Sequence, residues 1–256
     1  MSDVQYDQFL SDIYDDAPYF GQARAREPEL FNQFYFEHLG DKTRRVLEFG
    51  SGTGMLTVPL ARAGFLVDSV DISPSMQKVL AGKLRAEDAS VAKRVRQITA
   101  DALTYVGEEP YDSILMPEGL VIALPDRTLQ LALFESCHRN LRKGGRIYAD
   151  FVQPRYKVVY EQTLQEHTRF RTRDGDNYLL SVTFRNDRHS QVEEWDAVFA
   201  KQGTAGVAER IAVTVSFRFL FHSEIQFMLE RCGFKVVDID VNHARGLGFA
   251  VIAEKV

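Results

Sequence analysis

The sequence predicts an α/β fold, a doubly wound sheet of seven strands into which an antiparallel β flap is inserted. Three observations support this prediction. Short apolar runs alternate with helical patterns from about residue 44 to residue 152. Three longer alternating runs then follow one another between residues 178 and 219. A further helical pattern and two strand-like runs, 236–241 and 247–256, end the chain.

The elements of the first 152 residues follow from local patterns. Tyr6, Phe9, Leu10, Ile13 and Tyr14 have helical spacing, and a second helix is expected after Pro28. Apolar runs and Gly, Pro and Ser boundaries then define the alternating part. The predicted strands are 44–50, 65–73, 95–101, 111–117 and 146–152, and the predicted helices are 55–64, 73–88 and 127–145.

The flap prediction covers residues 153–219. A helical piece is expected at 156–170, followed by strands 178–185, 191–202 and 208–219. In the last strand the apolar residues from Ile211 to Phe219 share one face, which must be buried. We expect the opposite, mixed face to roof a pocket at the carboxyl edge of the central sheet. The domain prediction is 1–152 for a helical cap and core, 153–219 for the inserted lid and 220–256 for the last helix and two strands.

Composition narrows the class of protein. The 256 residues are 45% hydrophobic and 26% charged, with a net charge of −5, as in an ordinary globular protein. The sequence pI of about 5.7 argues against a broad nucleic-acid-binding face. Cys137 and Cys232 are too few for a disulfide framework. The acidic N-terminus has no apolar signal region and no stretch is long enough to span a membrane, so a cytoplasmic protein is expected.

The strongest motif is a glycine-rich turn that ends the first strand and opens a helix. It contains Glu48, Gly50, Ser51, Gly52, Thr53 and Gly54. Glycines let the backbone approach a ligand closely, and a helix N-terminus offers free N–H groups. The dinucleotide fingerprint G-x-G-x-x-G requires a glycine at position 55, which is Met55 here. A nicotinamide-dependent oxidoreductase is therefore disfavoured.

Two aspartates end the next strands at the same edge of the predicted sheet. Asp71 follows the glycine loop by about 20 residues, where a carboxylate can accept hydrogen bonds from two ribose hydroxyls. Asp101 ends the third strand. Either aspartate taken alone could be a helix cap or a loop acid and not a ligand-binding residue. Together with the glycine loop, they favour a nucleoside-binding edge.

These features resemble those of the class I S-adenosylmethionine-dependent methyltransferases. The run E-F-G-S-G-T-G is similar to the family's E/D-x-G-x-G-x-G loop, and residues 141–146 are similar to its L-x-x-G-G turn. Residues 218–234 resemble a segment of small-molecule members, including natural-product and aminosugar N-methyltransferases. The resemblance implies a Rossmann-like fold, S-adenosylmethionine as cofactor, S-adenosylhomocysteine as product and a small-molecule acceptor methylated at nitrogen or, next, at oxygen.

The resemblance also implies a set of site residues. The expected cofactor-binding residues are Tyr19, Glu48, Gly50, Ser51, Gly52, Thr53, Gly54, Asp71, Ile72, Met76, Asp101, Ala102 and Met116. Arg24 or Arg26 could pair with the cofactor carboxylate, although a surface position is expected for both. No metal is expected, because no H-E-x-x-H spacing occurs and Met116 stands where catechol-type members hold a metal-binding acid.

Candidates for the chemistry are less specific. Methyl transfer requires an acceptor held in line, in a dry pocket. Glu118 could orient an amine or cap a turn, Tyr14 could touch the cofactor or pack, and His222 could be a base or lie beside a helix cap. Trp195 and Arg218 could line the acceptor pocket or pack in the core.

The alternatives to a small-molecule methyltransferase are a non-methylating S-adenosylmethionine enzyme, a binding scaffold and a methyltransferase with a macromolecular acceptor. A homodimer through the flap is possible.

Overall fold

The computed structural model describes residues 3–40, 43, 45–152, 160–161, 163–204 and 206–256, and the side chains from residue 7 onward. A seven-stranded sheet forms the centre, in the order β10-β11-β5-β4-β1-β2-β3. Its strands are β1 Arg45–Phe49, β2 Leu66–Asp71, β3 Val95–Thr99, β4 Tyr111–Met116, β5 Leu141–Val152, β10 Phe234–Asp240 and β11 Gly248–Lys255. The predicted seven-stranded sheet is confirmed.

One strand departs from the parallel arrangement. The pairs β1–β2, β1–β4, β2–β3 and β4–β5 are parallel, whereas β11 is antiparallel to both β5 and β10. The short connection from β10 to β11 explains this, because a parallel pair requires a crossover of a dozen or more residues.

Helices cover both faces of the sheet. They are α1 Asp3–Ile13, α2 Gln22–Arg26, α3 Pro28–His38, α4 Thr57–Arg62, α5 Pro74–Arg85, α6 Ala89–Ala92, α7 Arg127–Asn140 and α8 His222–Arg231. The helix predicted to begin at residue 73 is confirmed as α5, and Ser73 caps it: its side chain accepts from the Met76 N–H at 3.0 Å. Within the described residues, no helix combines the length and apolarity of a membrane span.

Alternation along the strands divides the core into two layers. Leu47 and Ile114 are fully buried in the layer that includes α7 and α8 residues such as Leu133. Their neighbours Val46 and Leu115 are buried in the opposite layer with α3 and α4 residues. Because successive side chains of a strand point to opposite faces, apolar runs here stabilise both layers.

The flap is a separate antiparallel sheet in the order β6-β7-β8-β9. Its strands are β6 Thr163–Arg171, β7 Asn177–Asp187, β8 Val192–Gly203 and β9 Gly206–Arg218. The predicted helix at 156–170 was wrong for residues 163–170, which belong to β6; residues 153–159 and 162 lie outside the described residues. Leu164 and Phe170 are buried opposite Phe184 and Tyr178 of β7, and this cross-strand packing overrides the helical pattern.

The apolar face of the flap is buried against the N-terminal segment, which we define as residues 3–26. Ile211 and Val213 pack in one cluster with Ile13 and Ala17. On the mixed face of β9, Ala212 and Thr214 are exposed to solvent. The expectation that the mixed face roofs the pocket was therefore wrong, because the N-terminal segment lies on the apolar face.

Candidate active site

A cavity of about 240 Å³ lies at the carboxyl ends of β1, β2 and β4. Open α/β sheets bind ligands at this edge. The glycine loop, the turn after β4, the N-terminal segment and the end of β9 all contribute to it. Its walls are formed by Tyr14, Arg24, Glu48, Gly50, Ser51, Gly52, Thr53, Met55, Leu56, Asp71, Ser73, Met76, Pro117, Glu118, Gly119, Leu120, Ala123 and Phe217.

A larger cavity of about 750 Å³ lies elsewhere, between α3 and the turn before β11. Of the described residues considered from the sequence for the cofactor or the acceptor, only Arg26 lies on its wall, and no residue of the glycine loop lines it. The smaller cavity is therefore the candidate active site.

The glycine loop and Asp71 form one hydrogen-bonded unit. Gly52 has a φ of +51°, and its N–H donates to Asp71 Oδ2 at 2.7 Å. The Ser73 N–H donates to Asp71 Oδ1 at 2.9 Å. Burial raises the pKa of Asp71 and the two backbone donors oppose this shift. Each carboxylate oxygen keeps acceptor capacity for a ligand hydroxyl.

Glu48 contributes an acceptor without a protein donor. It is fully buried; its Oε2 accepts from Thr57 Oγ1 at 2.7 Å, and its Oε1 has no hydrogen-bond partner. Burial raises the pKa of Glu48 to about 8, and Thr57 and Arg24 oppose the shift. A buried acceptor left unpaired is costly, so a donor from a ligand would complete this site.

These residues fit S-adenosylmethionine, which carries ribose hydroxyls and an amino-acid ammonium. Asp71 would hold the ribose, and the unpartnered Glu48 oxygen beside the cavity is suited to the ammonium. Ile72, next to Asp71, is 69% exposed and offers an apolar surface at the same edge. Met76 lies on the cavity wall.

The remaining expected cofactor residues lie further from the cavity. Gly54 belongs to the loop but packs against Leu80. Asp101 Oδ1 accepts from the Leu103 N–H at 2.9 Å, and the Ala102 carbonyl accepts from Ser136. Neither residue is on the cavity wall.

Two expected cofactor contacts need correction. Met116 is fully buried in the core, with its sulfur 3.7 Å from Cys137 Sγ, because the last residue of β4 points towards α7. Tyr19 lies against the flap, where its hydroxyl donates to Glu166 at 2.6 Å and its ring packs on Phe184 and Trp195. Tyr19 is not among the residues on the cavity wall.

The acceptor side of the cavity is formed around Glu118. Glu118 has a φ of +59°, and its N–H donates to Asp150 Oδ1 at 3.0 Å. Burial raises the pKa of Glu118 to about 7, and the Arg24 guanidinium opposes the shift. Tyr14 also lines the cavity; burial and the nearby Glu118 carboxyl raise its pKa above the ordinary value.

The other expected acceptor and catalytic residues lie elsewhere. His222 is an exposed residue at the start of α8. Arg218 is buried and donates to Gln130 and Glu224, so it joins β9 to α7 and α8. Trp195 packs against Tyr19 and donates to Glu193. None of the three lies on the cavity wall: Arg218 and Trp195 have the packing alternative, and His222 lies beside the helix cap Phe221.

Sequence reasoning missed Asp150 and Phe217 as site residues and misplaced Arg24. Arg24 was expected at the surface, yet it is 1% exposed and pairs with both oxygens of Asp150, at 3.0 and 3.2 Å. The signal was present in β5, since an aspartate in a buried strand requires a partner. Phe217 reaches the cavity from the apolar face of the flap. Among the described residues, no three His, Cys, Asp or Glu side chains are grouped as metal ligands.

The N-terminal segment closes over the cofactor side. Asp15 accepts from Thr53 Oγ1 at 2.6 Å and pairs with Lys83 at 2.6 Å. Asp7 accepts from Ser73 Oγ at 2.6 Å. The flap hairpin adds Arg173, which pairs with Asp15 at 3.3 Å. The segment thus contacts the glycine loop, α5 and the flap.

Comparisons of structure agree with this architecture. The fold is similar to the CcbJ methyltransferase from Streptomyces caelestis, with a TM-score of 0.79 and 19% identity over 100% of this chain and 99% of that one. It is also similar to CalS10, an amino pentose methyltransferase from Micromonospora echinaspora, with a TM-score of 0.66 and 14% identity over 100% and 92% of the two chains.

Comparisons of sequence identify the domain. Residues 46–145 match the methyltransferase domain family. A cypemycin N-terminal methyltransferase from a Streptomyces species is 24% identical over 78% of this chain and 76% of its own length. A ubiquinone biosynthesis O-methyltransferase from Cereibacter sphaeroides is 36% identical, over 40% of this chain and only 38% of its own length. With the glycine loop, Asp71 and the fold, these matches identify residues 46–145 as an S-adenosylmethionine-dependent methyltransferase domain.

Proposed function

We propose that this enzyme transfers a methyl group to an amine of a small-molecule acceptor, with Glu118 as the group that binds the amine and takes its proton. The observation that carries the proposal is the position of Glu118. Its carboxyl group lines the same cavity as the glycine loop, where it shares the wall with Pro117, Leu120 and Phe217. A carboxylate on the wall of the cavity favours a cationic amine over a neutral hydroxyl.

S-adenosylmethionine supplies an electrophilic methyl group on its sulfonium. An ammonium acceptor must lose its proton before its lone pair can receive that methyl group. Glu118, whose pKa is raised to about 7 by burial, is suited to accept a proton near neutral pH. Tyr14 and Phe217 enclose the space beside it.

A small acceptor suits a cavity that lies between two covers. Tyr14 of the N-terminal segment and Phe217 of the flap both stand on its wall. A macromolecule would require both covers to move away. The similarity to the cypemycin N-terminal methyltransferase supports nitrogen as the acceptor atom. A cytoplasmic location and a homodimer through the flap remain predictions.

The test is a panel of acceptor pairs that differ only in an amine or a hydroxyl group, drawn from aminosugars, amino acids and short peptides. The purified enzyme is incubated with S-adenosylmethionine carrying a labelled methyl group, and the products are read by mass spectrometry. Label in the amines but not in the matched alcohols is expected. Transfer to the alcohols alone would contradict the assignment of nitrogen.

A further inference from the structure

A buried ionic cluster lies directly behind Glu118. Arg24, from α2, donates to both carboxylate oxygens of Asp150 on β5 and, at 2.6 Å, to Asn32 Oδ1. The Tyr35 hydroxyl also donates to Asp150, and His243 lies 3.7 Å from it. Burial raises the pKa of Asp150, but Arg24 and the other donors outweigh it and lower that pKa to about 2. The pair is therefore ionised at neutral pH.

The cluster contacts Glu118 through both its side chain and its main chain. Arg24 Nε is 3.5 Å from Glu118 Oε1 and has no hydrogen-bond partner of its own. Asp150 accepts from the Glu118 N–H with its side chain and from the Gly119 N–H with its carbonyl, at 3.0 and 3.1 Å. Non-glycine residues seldom adopt the φ of +59° found at Glu118, so the surrounding contacts must hold it there.

Among the described charged groups that act on Glu118, Arg24 carries the positive charge. The acidic groups around Glu118 are Asp150 and Asp15, with the Tyr14 hydroxyl close by. Burial and these two carboxylates favour the protonated form of Glu118, whereas Arg24 favours the carboxylate. Arg24 also faces Glu48 on the cofactor side.

We propose that Arg24 is a positioning residue for methyl transfer, which fixes the orientation and charge of Glu118 from behind the cavity wall. The proposal rests on the proposed function of Glu118. Arg24 itself exchanges no proton: the acceptor proton passes to the Glu118 carboxylate, and Arg24 stabilises the carboxylate before that transfer. Because Arg24 belongs to the N-terminal segment, a competent Glu118 requires that segment to be docked on β5.

The experiment titrates Glu118 in the free protein, without any acceptor. Carbon-13 is placed in the glutamate carboxyl groups, and chemical shifts are followed against pH; the signal absent from Glu118→Gln is assigned to Glu118. We expect a wild-type midpoint near 7. In Arg24→Gln the midpoint should rise by about one pH unit or more, because the opposing cation is gone. Arg24→Lys should restore most of the wild-type midpoint.

The matched control is Arg26→Gln, because Arg26 is an exposed arginine on the same short helix. It should leave the Glu118 midpoint unchanged. Arg24→Gln also leaves Asp150 without its cation, which costs stability. The double variant Arg24→Gln/Asp150→Asn removes both charges, and its Glu118 midpoint should still be raised, since Arg24 affects Glu118 more strongly than Asp150 does. Circular dichroism and binding of S-adenosylhomocysteine establish that each variant is folded.

The two proposals fail in different ways. An unchanged Glu118 midpoint in folded Arg24→Gln and in the double variant would overturn the role of Arg24. A raised midpoint in those variants, combined with wild-type methyl transfer by Glu118→Gln, would support the contact between Arg24 and Glu118 but overturn the proposed role of Glu118 in the reaction.

Discussion

The two walls of the candidate site are built in different ways. The cofactor wall comes from two short stretches, the glycine loop and Asp71 with the start of α5, which are joined by backbone hydrogen bonds. The acceptor wall gathers Tyr14, Glu118 and Phe217 from three distant parts of the chain. The cofactor wall requires only the turns that follow the strands of a parallel sheet. The acceptor wall forms only when the N-terminal segment and the flap have docked.

Because of this difference, we expect cofactor binding and methyl transfer to depend on different residues. Asp71 is held by N–H groups that any sequence with the same turns would provide, so the cofactor wall is a property of the fold. Glu118 is held by Asp150 and Arg24, which are particular side chains. Changes in the second wall should therefore alter transfer and leave cofactor binding intact.

The largest expected effect is the loss of transfer in Glu118→Gln. Removing a general base usually costs about 10²–10⁴-fold in rate. We expect a loss of that size in kcat/KM for an amine identified in the panel, with the affinity for S-adenosylhomocysteine changed less than about threefold, since Glu118 is on the other wall. Glu109→Gln, at a position 82% exposed, is the control. A parallel loss of cofactor binding would show that the walls are not separable.

The same substitution should alter stability in a pH-dependent way. Folding raises the pKa of Glu118 from 4.5 to about 7. Between these values the folded protein keeps a proton that the unfolded chain has released, so its stability falls as pH rises and levels off above 7. Glutamine avoids this loss. Glu118→Gln should therefore be more stable than wild type by about 2–3 kcal/mol at about pH 8, and by little at about pH 4.

Denaturant unfolding of both proteins at the two pH values measures this difference. An equal difference in free energy of unfolding at both values would mean that Glu118 titrates normally in the folded state. Glu109→Gln, with its exposed side chain, should match wild type at both.

On the cofactor wall, Asp71→Ala should weaken S-adenosylhomocysteine binding by about tenfold to a hundredfold, because hydrogen bonds to a charged acceptor contribute about 1.5–3 kcal/mol. Calorimetry measures the affinity. Asp112→Ala provides the comparison, since Asp112 lies at the opposite end of the sheet and pairs with Arg142. Wild-type affinity in Asp71→Ala would place the nucleoside elsewhere along the edge.

The smallest expected effect lies where the two walls meet. Arg173, 60% exposed, joins the flap hairpin to Asp15 and Asp16 of the N-terminal segment. Exposed ion pairs contribute about 0.2–1 kcal/mol, so Arg173→Gln should weaken S-adenosylhomocysteine binding by less than about fivefold, and less still at high salt. Arg169→Gln, exposed on β6 just before the hairpin turn that holds Arg173, should have no effect. A larger loss would mean that the flap, too, supports the cofactor wall.

Local sequence patterns predicted much of the central domain. The strand from residue 44, the Ser73 cap and the glycine loop are each set by neighbouring residues, through apolar runs, capping and turn conformation. The helix expected at 156–170 was wrong over 163–170, because the pairing of β6 with β7 depends on residues well separated in the chain.

The same distinction explains the site residues. Glu48, Asp71 and the glycine loop could be recognised from the sequence because their roles follow from position at a strand end. Met116, Arg218 and Trp195 could not be placed, since the direction of each side chain depends on the helix or strand packed against it.

Arg24 illustrates the difference between what local sequence patterns determine and what only the tertiary structure decides. The sequence alone determined the alternating α/β order, the glycine loop and the acid that follows it, because hydrophobic period and turn chemistry act over a few residues. Only the tertiary structure brought Arg24 to Asp150, 126 residues away, and both of them to Glu118. A buried charge requires a partner, but which partner it meets is decided by the packing of the whole chain.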